Sequence, residues 1–249
     1  VNDCANALLA IGASPVMADD LSEAEEIAEI SDALVINIGT LNERTIRSMI
    51  AAGKRASALG RPVLLDPVGA GASRLRTETA AALMAAIDFT VIRGNASEIM
   101  TLAAGTGRCR GVDAIEGDTD ASAFESLAET ARGLAARTGA VVAVTGAVDL
   151  VTDGKRTILV SNRHPLMARI TGSGCMLSAI TGGFCGAAPD RPLAAVAAAI
   201  AAMGFAGEQA AALCSEEGTG TGSFRMHLID RLSLLGRKEL SGGMKIEAR

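Results

Sequence analysis

The chain has 249 residues, 49% hydrophobic and 20% charged, with a formal net charge of -5 and a pI near 5.2. This balance readily supplies a buried core and excludes a disordered chain. The acidic surplus, with 2% aromatic residues and neither Trp nor Tyr, excludes nucleic acid as a partner, because phosphate neutralisation needs clustered Lys and Arg and base capture needs stacking rings.

In chain order, short β-branched runs alternate with longer Ala- and Leu-rich helical patterns, the signature of βαβ units and a mainly parallel sheet. Residues 4–11 read as a helix, and a strand is expected to be missing before Val1, where the chain enters that helix at once. Ser22 with Glu25 forms a capping-box pattern, and Asn42 is placed to cap a helix over 43–59. Near-continuous apolar runs at 33–38, 63–65, 90–92 and 141–144 predict strands covered on both faces. Phe124, Leu127, Ala128, Ala131, Leu134 and Ala135 repeat at helical spacing and predict a helix packed on the sheet. Segments 150–152 and 156–160 flank Asp153-Gly154, which predicts one antiparallel hairpin with a type I′ turn. The most apolar stretch, 193–206, is too short to span a bilayer and lacks signal-peptide flanks, so it reads as a buried helix. Segment 108–120 is acidic and Gly-bearing, a surface excursion too brief to divide the chain, so residues 1–249 read as one domain.

Cys4, Cys109, Cys175, Cys185 and Cys214 are odd in number, with no CxxC pair and no metal-ligand spacing to His164 or His227. A reducing cytoplasm fits this pattern. Cys4, Cys185 and Cys214 read as inert packing, and the histidines as structural.

In open parallel sheets ligands bind beyond the carboxyl ends of the strands. Four strand-end segments stand there. Asp66-Pro67-Val68-Gly69-Ala70-Gly71 is either a plain turn or a carboxylate beside a ligand-approaching backbone. In Arg93-Gly94-Asn95-Ala96-Ser97-Glu98, Asn95 and Glu98 suit a helix cap as well as a site, and Arg93 suits a salt bridge or phosphate oxygens. Thr145-Gly146 is a strand exit or a ligand contact. Thr171-Gly172-Ser173-Gly174-Cys175 precedes the helical run 176–186, and its glycines bare backbone N–H groups at a helix start, a geometry suited to anions. The chain has no G-x-x-x-x-G-K-[ST], which excludes a P-loop.

These segments occur in one order with Ala5-Asn6, Leu8-Leu9-Ala10-Ile11-Gly12-Ala13-Ser14-Pro15-Val16-Met17-Ala18, Asn37-Ile38-Gly39-Thr40-Leu41 and Val144-Thr145-Gly146. Together they resemble the hydroxyethylthiazole kinases of thiamin salvage, within the ribokinase-like superfamily, over nearly the whole chain. The resemblance implies an α/β three-layer sandwich with a mostly parallel central sheet and helices on both faces. It implies a homotrimer with active sites between subunits, transferring the γ-phosphate of ATP, with Mg2+, to the primary hydroxyl of 4-methyl-5-(2-hydroxyethyl)thiazole. By matched position, Met17 and Gly172 contact the thiazole. Arg93 and Thr145, with Asn95, Gly146, Thr171 and Gly174, hold ATP; Asp66 and Glu98 bind magnesium directly or through water; and Cys175 faces the acceptor hydroxyl. Phosphoryl transfer passes through a loose transition state that demands little of a base, so the backbone amides, Arg93 and the metal rank above Cys175.

Three positions depart from the family's pattern. Arg163, in Asn162-Arg163-His164-Pro165, stands where Gly is usual, Thr221 stands in Gly220-Thr221-Gly222-Ser223-Phe224 where Pro is frequent, and the opening segment is absent before Val1. A kinase for hydroxymethylpyrimidine or pyridoxal, an ADP-dependent repair dehydratase of the same fold, and a nucleotide-binding trimer without catalysis are the alternatives. Cys175 in place of an aspartate argues against the first three, and the intact Asp66, Arg93, Glu98 and Cys175 against the last.

Overall fold

The structure is a computed structural model that describes residues 1–105 and 121–249; segment 108–120, read above as a surface excursion, lies outside the described residues. Among the described residues, seven strands form one sheet in chain order: β1 (Leu34–Asn37), β2 (Val63–Asp66), β3 (Val91–Asn95), β4 (Val141–Thr145), β5 (Asp149–Thr152), β6 (Thr157–Val160) and β7 (Ile246–Ala248). The first four pair in parallel, and the β4–β5, β5–β6 and β6–β7 pairs are antiparallel. The mainly parallel expectation therefore covers the half of the sheet that bears the candidate site, while the single expected antiparallel pair becomes three. β7 has no apolar run to announce it: all three of its residues are exposed.

The helices are α1 (Asn2–Ala10), α2 (Ala24–Ile30), α3 (Glu43–Ala58), α4 (Arg74–Ala86), α5 (Ala96–Ala104), α6 (Ala121–Thr138), α7 (Ser173–Ala187), α8 (Pro192–Glu217), α9 (Thr221–Leu234) and α10 (Arg237–Gly243). Because β1 to β4 advance in one direction across the sheet, right-handed crossovers place every intervening helix on one face. Accordingly α3, α4, α5 and α6, joined by α2, cover the face that presents Ile36, Leu65, Ile92 and Val142. The opposite face, with Leu64, Val91, Val141 and Ala143, is covered by α1, α7, α8 and α9. Alternation along each buried strand thus feeds two cores, the arrangement expected of strands apolar on both faces. By length and composition α8 is long enough to cross a membrane, but 72% of its apolar window is buried inside the fold, as expected for a core helix.

Local chemistry sets several boundaries. Asn42 caps α3, its side chain accepting from the Thr45 N–H at 3.0 Å while Thr45 Oγ1 accepts from the Asn42 N–H at 3.2 Å. The expected Ser22–Glu25 box does not form. The N-cap of α2 is Glu23, and Ser22 instead donates from its N–H and hydroxyl to Asp20 Oδ1 at 3.0 and 2.7 Å. Asp20 holds Ser22 in a local turn before the helix, which begins one residue later than the box requires. The hairpin between β5 and β6 also differs from expectation. A type I′ turn needs positive φ at two central residues, and here only Gly154 has it, at 88°. Thr152 pairs with Thr157, leaving a four-residue loop in which Asp153 Oδ1 accepts from the N–H groups of Lys155 and Arg156 at 3.0 and 2.8 Å.

Candidate active site

The carboxyl ends of β1 to β4 meet the N-terminus of α7, and the titratable residues gather there. Asp66 ends β2 almost fully buried, 1% exposed. Its Oδ2 accepts from Asn37 Nδ2 at 2.6 Å, and its Oδ1 lies 3.9 Å from Arg93 Nη1. Burial pushes the Asp66 carboxyl above the usual carboxylate range, while the Arg93 guanidinium pulls it back and the Glu98 charge adds to the rise. Asn37 ends β1, and its amide is oriented by three partners. Oδ1 accepts from the Gly39 N–H at 2.8 Å, which directs Nδ2 to Asp66 and to Cys175 Sγ at 3.2 Å.

Arg93, in β3, is 8% exposed and meets four groups from three elements. Nη1 donates to the Gly174 carbonyl at 3.1 Å and lies 3.5 Å from Ser178 Oγ; Nη2 donates to Thr145 Oγ1 at 2.9 Å; Asp66 completes the set. Arg93 is thus a buried ion-pair partner, as one reading of the sequence expected, and it also lines a cleft. Its Nε is buried without a hydrogen-bond partner among the described residues.

The Asn95–Glu98 capping box forms. Asn95 Oδ1 accepts from the Glu98 N–H at 2.9 Å, and Glu98 Oε2 accepts from the Asn95 N–H at 2.8 Å. The same carboxylate does more, because Oε1 accepts from the Gly69 N–H at 2.8 Å and so ties the loop after β2 to the end of β3. Arg76 secures that loop from the other side, donating to the carbonyls of Ile38, Val68 and Gly39 at 3.0, 2.6 and 2.9 Å.

The Thr171 to Cys175 turn opens α7 as expected of its glycines. Gly172 is the N-cap at φ 81°, a left-handed conformation that costs an L residue about 1–2 kcal/mol, and no side chain caps the helix. The first N–H groups of α7 are therefore left to water or a ligand. Cys175 lies in its first turn, half-buried and free. Cys185 is buried in the core with its thiol pushed up to about 12, in keeping with inert packing, as is Cys214; Cys4 is half-buried against the same core, its thiol raised by burial.

Beside this turn is a cleft of about 180 Å³. Its lining includes the polar groups of Arg93, Thr145, Gly146, Ser173 and Gly174 and the apolar side chains of Met167, Leu177, Ile200 and Met203. Asp149 also lines it, buried at 8% exposure, with Oδ1 accepting from the Gly146 N–H at 2.9 Å. Burial raises this carboxyl to about 6, against the Gly146 hydrogen bond and the charges of Arg93 and Arg163. Arg163 lines the cleft too, and its Nη1 donates to the Gly146 carbonyl. Met17 stands apart from the cleft's lining. It is 50% exposed, on the segment between α1 and α2 with the exposed Val16 and Leu21. Among the described residues, no group of three or more His, Cys, Asp or Glu is arranged to hold a metal; Asp66 and Glu98 are two carboxylates, the number Mg2+ commonly takes from protein alongside phosphate and water. His164 accepts from the Leu166 N–H, and His227 meets Glu217 at 2.8 Å, structural partners for both.

Asn37, Asp149, Ser178 and Arg76 were not singled out as site residues by the sequence. Asn37 and Asp149 carried one weak signal each, a polar residue closing or opening an apolar strand. Arg76 carried none, since it sits among ordinary helix-surface residues of α4.

Against known proteins, the model of the hydroxyethylthiazole kinase family matches residues 1–238. A hydroxyethylthiazole kinase of Clostridium acetobutylicum is 48% identical over 249 residues, covering 100% of this chain and 91% of that protein. One from Methanocella arvoryzae is 49% identical over 248 residues, covering 99% and 88%. Among solved structures, the hydroxyethylthiazole kinase protein of Pyrococcus horikoshii OT3 superposes with a TM-score of 0.85 at 39% identity, covering 100% of this chain and 89% of that one. The pyridoxal kinase of Staphylococcus aureus, solved with AMP-PCP and pyridoxal, has a TM-score of 0.57 at 15% identity, covering 99% and 92%, and shows the shared ribokinase-like fold alone. The chain therefore belongs to the hydroxyethylthiazole kinase family, and phosphorylation of the thiazole alcohol is the activity its site has to explain.

Proposed function

We propose that the cleft beside α7 binds ATP and that its γ-phosphate passes, at the Thr171 to Cys175 turn, to the primary hydroxyl of 4-methyl-5-(2-hydroxyethyl)thiazole. One observation carries this reading. The uncapped N-terminus of α7 and the buried Arg93, joined through the Gly174 carbonyl, meet at a cleft lined by both polar and apolar side chains. The lining residues Met167 and Met203 suit an adenine ring; Thr145, Gly146 and Gly174, which line the cleft, and Asn95, paired with Thr145 across β3 and β4, and Thr171, one residue before the N-cap of α7, hold phosphate oxygens with Arg93.

The residues present fit a divalent cation. Asp66, buried at the end of β2, and Glu98, in the first turn of α5, are the carboxylates that would hold the ion directly or through water, and its charge would offset the desolvation that raises the Asp66 carboxyl. When bound, the ion neutralises charge on the transferring phosphoryl group. Arg93 and the backbone amides of α7 stabilise the equatorial oxygens as charge shifts. Cys175 Sγ, steadied by Asn37, faces the acceptor hydroxyl and takes or positions its proton.

Gly172 leaves the backbone bare for the thiazole. The half-exposed Met17 fits a site completed by another subunit, so the reading extends to a homotrimer with active sites at its interfaces, each chain one domain, working in the cytoplasm. The test offers ATP and magnesium with a panel of thiazole, pyrimidine and pyridoxal alcohols. ADP released with the thiazole alone is expected; release with pyridoxal or the pyrimidine moves the substrate, and none with any alcohol favours a binding protein.

A further inference from the structure

We infer that Arg163 is a second polyphosphate-binding residue of the cleft, acting alongside Arg93; the inference rests on the reading of that cleft as the nucleotide site. The backbone at this position is held from several sides. Asn162, 1% exposed, donates from Nδ2 to the Gly243 carbonyl at 2.9 Å and accepts at Oδ1 from the Lys245 N–H at 2.7 Å. The Arg163 N–H donates to Glu208 Oε1 at 2.9 Å, and Glu208 is itself paired with Lys245 Nζ at 2.9 Å. In α8, Gly204 lets this strand end approach so closely that a Cβ there would lie 2.0 Å from the Asn162 carbonyl oxygen.

From this fixed base the side chain reaches the turn after β4. Nη1 donates to the Gly146 carbonyl, while Asp149 holds the N–H of the same residue. The Gly146 turn is thus gripped by an arginine on one side and a carboxylate on the other, next to Thr145. Among the described residues, Nη1 is the one guanidinium atom of Arg163 with a hydrogen-bond partner, and no carboxylate forms an ion pair with it. A solvent-exposed cation with free planar donors therefore stands in the lining of a cleft that holds both polar and apolar side chains. A ligand with an apolar ring and an anionic tail matches that placement, and a guanidinium fork suits bridging phosphate oxygens.

The experiment titrates the full chain with AMP-PCP plus magnesium, and separately with adenosine, by calorimetry, for wild type, Arg163→Gln and Arg163→Lys. Glutamine retains an amide donor for the Gly146 carbonyl and removes the charge. Arg163→Gln is expected to weaken AMP-PCP binding about tenfold while adenosine binding stays within about twofold, and Arg163→Lys to recover part of the loss. Equal AMP-PCP affinity in wild type and Arg163→Gln would overturn the inference alone. An equal loss for both ligands would reduce Arg163 to a support of the Gly146 turn and overturn it as well. No AMP-PCP binding by wild type would instead sink the nucleotide reading on which it rests.

Discussion

The side-chain amide of Asn37 donates from Nδ2 to the Cys175 thiol 3.2 Å away, although 138 positions separate them in the chain. The same nitrogen holds Asp66 at 2.6 Å, so one amide links the carboxylate proposed for the metal to the thiol proposed for the acceptor. Cys175→Ala is expected to lower kcat about 10²-fold, the usual range for a general base, with KM for ATP nearly unchanged. Asn37→Ala is expected to lower kcat about fivefold, the worth of one hydrogen bond. In the double variant the loss should be smaller than the sum of the two, because part of the Asn37 effect runs through Cys175 and the rest through Asp66. Steady-state kinetics of the four proteins test this; wild-type turnover in Cys175→Ala removes the thiol from the mechanism.

Asp66 is buried at 1% exposure and its carboxyl is raised by that burial. Asp66→Asn preserves the shape and an acceptor for Asn37 but removes the charge that a cation would meet. The magnesium concentration for half-maximal rate should rise about tenfold or more, with thiazole KM little changed. An unchanged magnesium dependence would assign the metal to other groups.

Arg93 and Asp66 lie 3.9 Å apart with side chains 10% and 1% exposed. Removing one member leaves a buried charge without its partner. Arg93→Ala is expected to lower unfolding free energy by about 3–5 kcal/mol. Asp66→Asn combined with Arg93→Ala should be less destabilised than the sum of the two, measured by urea denaturation at constant m-value.

Asp149 is 8% exposed, and its carboxyl is raised from 3.8 to about 6 by burial. A carboxyl with a folded pKa above its unfolded value favours the folded state when protonated. Its contribution is present below about pH 4 and fades as pH rises through 6. Ionised Asp149 thus costs up to about 3 kcal/mol above pH 7. Asp149→Asn keeps an oxygen for the Gly146 N–H, so its stability advantage over wild type should grow from pH 4 to pH 7 and then level off. A difference that is flat across that range would show that Asp149 titrates near its ordinary value.

A Cβ at Gly204 would meet the Asn162 carbonyl oxygen at 2.0 Å, a backbone atom that cannot swing aside. Gly204→Ala is expected to destabilise by about 1–3 kcal/mol through overpacking. It should also weaken AMP-PCP binding, because Asn162 carries Arg163 with it. Thermal unfolding and calorimetry together check this.

Much of the site was legible because strand-end chemistry in a parallel sheet is local. Asp66, Arg93, Asn95 and Thr145 each lie at the carboxyl end of an apolar strand, so the pattern that marks a strand also marks its end; the Thr171 to Cys175 turn, expected at a strand end as well, follows a 3-10 helix over Pro165–Arg169 instead, and its glycines alone announced it. The capping box of Asn95 and Glu98 was legible for the same reason, since its partners lie three residues apart. Competing local partners defeated two expectations: Asp20 captured Ser22, and Asp153 stabilised a four-residue loop at the hairpin tip.

By itself, the alternation of apolar runs and helical stripes determined an α/β chain with a mainly parallel sheet buried on both faces, and the residue types at the strand ends singled out the residues proposed here for the site. That information is short-range, carried by neighbours in sequence. Only the tertiary structure decided which of those residues meet. Asn37 reaches Cys175, Arg93 reaches both Asp66 and Gly174, and Arg163 reaches Gly146 because sheet register and the packing of α7 and α8 set distances that no sequence spacing encodes. β7 belongs to the same class: its exposed residues form a strand because β6 offers an open edge of backbone donors and acceptors to pair with.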